Sequence, residues 1–158
     1  MKEETMTRPD QANRAIAFAS VIATLAVAAP ASLAASPLKA ASRTLAVRCT
    51  EILKKPDVTN GGVAGSGHCT LTGAISDKGA VTDYRRVTGN TARIRRVLVG
   101  KKGTITFLIT INLSTGAEPW SITSGTKAYK GLHGKGRQVV DKFDATPAMF
   151  VMKGTVSR

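Results

Sequence analysis

The stretch GTITFLITINL, Gly103 to Leu113, alternates apolar and polar side chains almost without a break. Ile105, Phe107, Ile109, Ile111 and Leu113 fall on one face, Thr104, Thr106, Thr110 and Asn112 on the other, and Leu108 is the lone exception. Side chains of an extended chain point to opposite faces in turn. A period of two over this length therefore specifies a half-buried β-strand and argues against a helix, whose apolar positions recur every three to four residues. A strand cannot satisfy its own backbone N–H and C=O groups. One strongly marked strand thus commits the chain to a sheet.

The same period recurs along most of the chain, punctuated by turn residues. Thr44–Ile52 is followed by a Gly-, Pro- and Asn-rich loop, Leu53–Ser66. His68–Ser76 and Ala80–Thr88 flank Asp77-Lys78-Gly79, which has hairpin-turn chemistry. Gly89-Asn90 leads into Ala92–Val99, and Gly100-Lys101-Lys102-Gly103 leads into the long strand. Pro119–Ser124, Leu132–Phe143 and Met149–Ser157 complete a set of roughly eight short strands. With no convincing helix after the N-terminal region, the pattern predicts an all-β domain, an antiparallel barrel or sandwich.

Residues 1–34 read differently. Ala15–Ala29 is a short apolar run preceded by Arg8 and Arg14, with the small residues Ser32 and Ala34 placed for cleavage before Ala35. That is the layout of a secretory signal peptide, and it falls short of the roughly 20 apolar residues of a membrane span. Glu3 and Glu4 are unusual in such a peptide, and a start at Met6 would remove both. A leader at residues 35–43 and a single domain at residues 44–158 follow, and the protein is expected outside the cell. Removal of Lys2, Arg8 and Arg14 with Glu3, Glu4 and Asp10 leaves 20 basic against 7 acidic residues, so the net charge stays at +13. Such a surface draws polyanions or anionic membrane and cell-wall surfaces in a salt-dependent way, or simply keeps an exported chain soluble. Aromatic residues make up 4% of the chain, thin for a base-stacking platform, so specific nucleic-acid recognition is not expected. Cys49 and Cys69 are the only cysteines. In an exported chain an even pair reads as a disulfide, whose loop closure is worth roughly 3 kcal/mol in the chain-entropy account. A metal site drawn from Cys49, His68, Cys69 and His133 lacks ligand-pair spacing, and no metal is expected.

The arginines complicate a plain barrel. In AVTDYRRVTGNTARIRRVLV, period two sends Arg85 with Val81, Asp83 and Val87 to one face and Arg86 with Tyr84 to the other. Arg93 and Arg95 likewise oppose Arg96. At least one arginine per strand therefore shares a face with apolar residues, and an inward guanidinium needs a carboxylate or an anionic ligand. Asp83 is the evident internal partner, which leaves two readings: an Arg–Asp brace in the barrel wall, or an arginine that serves a ligand.

No G-x-S-x-G elbow, carboxylate pair or calcium loop stands out in the sequence, so nothing supports a hydrolase or metalloenzyme, and no cofactor is expected. The glycines of WSITSGTKAYKGLHGKG, Trp120 to Gly136, do not form a phosphate loop. Lys135 is followed by glycine and then a strand-like run, where a P-loop needs Ser or Thr and a helix. Bends in a barrel wall explain them better. This stretch resembles the bacterial branch of the allene oxide cyclase-like barrel proteins, relatives of the plant dirigent proteins, at Trp120, Gly125, Thr126, Tyr129, Gly131, Leu132, Gly134 and Gly136. LTGAISDKGAVTD, Leu71 to Asp83, is similar to the early hairpin of that group.

The resemblance implies an eight-stranded antiparallel β-barrel with an interior cavity, a small organic ligand, homo-oligomers in many members, and in some a cofactor-free cyclase or isomerase activity. The matched positions are structural, so no catalytic residue is carried over. Tyr84, Arg86, Arg96, Trp120 and Tyr129 are expected at the cavity or its rim, where the wall would hold one reactive conformer and Arg and Tyr would stabilise developing charge. The other reading of Trp120 and Tyr129 is packing that closes the barrel end. The alternative function is a non-enzymatic binder of anionic polymers or surfaces. Its electropositive edge would be Lys127, Lys130, His133, Lys135 and Arg137, assisted by Arg93 and Arg95.

Overall fold

The computed structural model describes residues 41–55, 57, 59–142 and 146–158. Its eight strands are β1 Arg43–Leu53, β2 Val63–Gly73, β3 Asp77–Thr88, β4 Thr91–Gly100, β5 Gly103–Asn112, β6 Pro119–Gly125, β7 His133–Lys142 and β8 Ala148–Ser157. Each pairs antiparallel with its sequence neighbours, and β1 pairs with β8, so the sheet closes into an all-β barrel. Closure gives every strand two partners and leaves no open edge. A short 3-10 turn, Lys127–Tyr129, lies between β6 and β7. The expected signal peptide, the leader up to residue 40, and Phe143 lie outside the described residues.

The strands follow the alternation closely, with two corrections in the first half. β2 starts at Val63, five residues before the expected His68, and is irregular between Val63 and Gly65. Asp77-Lys78-Gly79 is not the hairpin turn but the start of β3, with Leu71 paired to Asp77. Gly73, at φ 94°, provides the left-handed residue that turns the chain. The Asp77 carboxylate instead accepts the backbone N–H of Lys78 and of Lys102, tying β3 to the β4–β5 turn.

Inward residues fill much of the barrel. Cys49 and Cys69 stand directly opposite each other on β1 and β2 and form the disulfide. On the far side of the barrel Trp120 meets Phe107 edge-on, with ring centroids 5.6 Å apart. Its indole lies against Gly136 and Gly154, which are paired across β7 and β8. A Cβ added at these glycines would come within 2.7 and 2.5 Å of Trp120 Cζ2. Gly136, the last glycine of the glycine-rich segment, is therefore part of a seat for the tryptophan, completed by Gly154.

One end of the barrel is covered by the 3-10 turn. Tyr129 is fully buried there and donates its hydroxyl to Asp77 Oδ2 at 2.7 Å. Burial, reinforced by the Asp77 carboxylate, pushes the phenol well above its ordinary range. Gly131, at φ 71°, then returns the chain to Leu132, which is buried beside it. Replacing Gly154 with Ala puts a methyl group into the indole and into the β7 backbone. Overpacking of this kind costs about 1–3 kcal/mol. The expected result is a lower urea midpoint at unchanged m-value.

Candidate functional site

Among the described residues, the opposite end of the barrel is open. There a cavity of about 260 Å³ reaches down toward the middle. Its walls are Leu53, Ala64, Ile94, Ile111, Val140 and Phe150. Asp83, Gln138, Glu118 and Arg85 supply polar groups, and Lys54 and Lys55 stand at the rim. Period two explains most of this set. Asp83 and Arg85 share the inward face of β3 with Val81, Gln138 shares that of β7 with Gly136 and Val140, and Ile94 precedes Arg96 on β4.

Beneath the cavity lies a buried ionic cluster centred on Arg96, which has no exposed surface. Arg96 donates from Nε to Asp83 Oδ1 at 2.9 Å and from Nη2 to Asp83 Oδ2 at 2.7 Å, a two-pronged pair. Its Nη1 donates to Gln138 Oε1 at 2.8 Å and lies 3.3 Å from Met152 Sδ. Gln138 passes the connection on, donating from Nε2 to Glu118 Oε2 at 2.8 Å at the cavity wall. The Phe150 ring lies 5.1 Å from the guanidinium carbon. Burial alone would lower the Arg96 pKa, but the Asp83 carboxylate, helped by Glu51, raises it above the ordinary value.

Glu51 is the odd member. Its side chain is fully buried, and Oε1 lies 2.7 Å from Arg96 Nη2, yet neither carboxylate oxygen has a well-aligned hydrogen-bond donor. The forked hydrogen bonds of the guanidinium go to Asp83. Burial therefore pushes the Glu51 carboxyl up to about 7, with Asp83 adding to the rise and Arg96 opposing it. Gly65 makes room for this carboxyl, since a Cβ there would sit 2.9 Å from Glu51 Oε2. The sulfurs of Cys49 and Cys69 lie within 4.8 Å of Glu51, but they are bonded to each other and offer no thiolate to a metal.

Of the five residues expected at the cavity or rim, none lines it. Arg96 comes nearest, as the guanidinium that holds the floor residues Asp83 and Gln138. Tyr84 and Arg86 point outward from β3, with Arg95 stacked 4.1 Å above the Tyr84 ring and Arg86 donating to the Thr59 carbonyl. Trp120 is core, and Tyr129 belongs to the closed end. The expected basic edge is also divided. Lys127, Lys130, His133, Lys135 and Arg137 are exposed in the turn and on β7, whereas Arg93 and Arg95 are exposed on β4, three strands away. Glu51, Glu118 and Gln138 were missed. Glu51 shares the parity of Leu45, Val47 and Cys49 and could have been found by it; Glu118 lies outside any strand and carries no such mark.

No family model matches the chain, and neither does any curated protein. Among solved structures, it is similar to the pterocarpan synthase dirigent protein GePTS1, at 13% identity and a TM-score of 0.47, covering 79% of this chain and 94% of that one.

Two outcomes follow from the ionic cluster. Arg96→Leu leaves Asp83 buried without its partner, and breaking such a pair costs about 3–5 kcal/mol, readable as a fall in the urea midpoint. Glu51 gives a pH signature. Between its ordinary value of 4.5 and about 7, the folded state holds a proton that the unfolded chain has released. Stability is therefore lost as pH rises through that window, by about 3 kcal/mol, and levels off above it. Denaturation profiles between pH 4.5 and 7.5 should slope downward for the native chain and flatten for Glu51→Gln.

Proposed function

We propose that this protein is an exported barrel that takes one small organic molecule into its open end. The observation that carries the reading is a cavity of about 260 Å³ whose walls are aliphatic and aromatic and whose floor is a fixed polar network. Such a site combines apolar burial with a few convergent polar groups that orient a guest. The arrangement favours a compact, largely apolar molecule. Its inner end would carry a hydroxyl or similar donor for Asp83 and Glu118, and its outer end an anionic or carbonyl group toward Arg85, Lys54 and Lys55.

Gln138 and Arg96 hold Asp83 and Glu118 in place before any guest arrives, so little ordering is needed on binding. The Arg85 Nε is buried and has no hydrogen-bond partner among the described residues, which leaves it available to an oxygen of the guest. A cyclisation or isomerisation of that guest would draw on these same groups. The wall would restrict its conformers, a carboxylate would take or return a proton, and Arg85 would face a developing oxyanion. Export is supported by the N-terminal apolar run and by the Cys49–Cys69 disulfide, which suits an oxidising compartment.

Native mass spectrometry of protein recovered from the medium of its own cells tests this reading. A stoichiometric extra mass of small-molecule size is expected, and it should be absent from Val140→Trp, which fills the cavity. A mass equal to the bare chain, or an adduct that survives Val140→Trp, would refute binding at this site.

A further inference from the structure

The outer face of β3 and β4 carries an arrangement that a fold alone has no reason to build. Arg86 and Arg93 are direct partners across the two strands, and Arg95 follows Arg93 on the same side, opposite Tyr84. Direct cross-strand neighbours stand about 5 Å apart at Cβ, and successive same-face residues about 7 Å. Like charges placed this way repel and destabilise the sheet. Among the described residues, the salt bridges present are those of Arg96 with Glu51 and Asp83, so no carboxylate offsets the outer trio. Asp57, in the neighbouring turn, is occupied by the backbone N–H of Thr59 and the side chain of Asn60.

Two of the three guanidiniums are also fixed. Arg95 is stacked on the Tyr84 ring at 4.1 Å, and Arg86 Nη2 donates to the Thr59 carbonyl at 3.2 Å. Stacking leaves the edge N–H groups of Arg95 pointing away from the ring, and an anchored side chain has already lost the entropy that binding would remove. Tyr84, Arg86, Arg93 and Arg95 border a shallow groove of about 310 Å³ together with Asn60 and Gly61.

The basic cluster on β7 and β8 is built differently. Its exposed cations include Lys153 beside Arg137, and Asp141 borders the same depression. Lysine is a flexible point charge, and a neighbouring carboxylate lowers the local potential.

We infer that the Tyr84–Arg86–Arg93–Arg95 face is a docking surface for a linear phosphate-bearing polymer, separate from the cavity inside the barrel. A planar carboxylate has two oxygens, which one guanidinium fork satisfies. A phosphoryl unit within such a chain also has two non-bridging oxygens, but they diverge tetrahedrally from phosphorus and can each take N–H donors from a different fork, as Arg86 and Arg93 present them on adjacent strands. Arg95, one repeat further along β4, meets the next group of a flexible chain. Tyr84 is the one aromatic side chain bordering the groove and Arg95 already covers a face of it, so the surface reads backbone charge and not sequence.

The test compares inorganic polyphosphate with poly-L-glutamate of matched charge, over a series of salt concentrations. The native chain is expected to bind polyphosphate the more tightly. Replacing Arg86, Arg93 and Arg95 together with Gln should lower the slope of log K against log salt by about 2 and the affinity at low salt by at least about tenfold. Removing the same charge from the other face, as Lys135→Gln, Arg137→Gln and Lys153→Gln, should change the slope by less than about 1. A third variant, with Lys at 86, 93 and 95, keeps the charge and should bind both polymers alike. Equal losses from the two Gln variants would overturn the site, as would equal native affinity for the two polymers. A Lys variant that kept the polyphosphate preference would overturn the fork geometry that defines it.

Discussion

A buried guanidinium left without partners costs several kcal/mol, and Arg96 has no exposed surface. The strands around it are therefore constrained by what it needs. β3 must present Asp83 at one height, β7 must present Gln138, β1 brings Glu51 alongside, and β8 contributes Met152 and Phe150. Because side-chain direction alternates along a strand, slipping any of these by one residue would send its polar group out of the barrel and an unsuited one inward. The cluster thus fixes register across elements far apart in sequence. It also sets where the hydrophobic filling stops and the cavity begins, since Asp83 and Gln138 are bound to Arg96 below and border open space above.

Much of this was legible in the sequence. The period of two located all eight strands, because each is half-buried and its inner face must be apolar. The same period put Asp83 with Arg85 on one face and separated Arg96 from Arg93 and Arg95, and Asp83 is indeed the partner of Arg96. Period two gives parity only. It does not say which parity faces inward, so Tyr84 and Arg86 were assigned to a cavity they turn away from. Height along the barrel is equally silent in a linear pattern, and this is why Trp120 and Tyr129, both buried, were not separated from the open end. Glu118 was invisible for a simpler reason. It precedes β6 in a connection, and its role comes from Gln138 reaching it across the sheet.

The interior and exterior follow opposite electrostatic rules. Inside, the positive charge of Arg96 is met by Asp83, and burial holds Glu51 near neutrality up to about pH 7, so the cluster approaches zero net charge. The chain as a whole carries a formal net charge of +13, and on the outer face of β3 and β4 positive charge is concentrated and, among the described residues, unpaired. Dielectric accounts for the contrast. Imbalance in a dry core costs several kcal/mol per charge, while in water it costs little and remains free to act on a partner.

The turn over Tyr129 makes the barrel a cup and not a conduit. With one mouth among the described residues, a guest of the kind proposed would have to back out before a successor could enter, so occupancy would be all or none. Such a molecule could not reverse once inside. Its leading end would meet the carboxylates of Asp83 and Glu118, and its trailing end would lie among Arg85, Lys54 and Lys55. Direction of entry would then become a form of selection, and two molecules of equal size and polarity would be distinguished by which end goes in first.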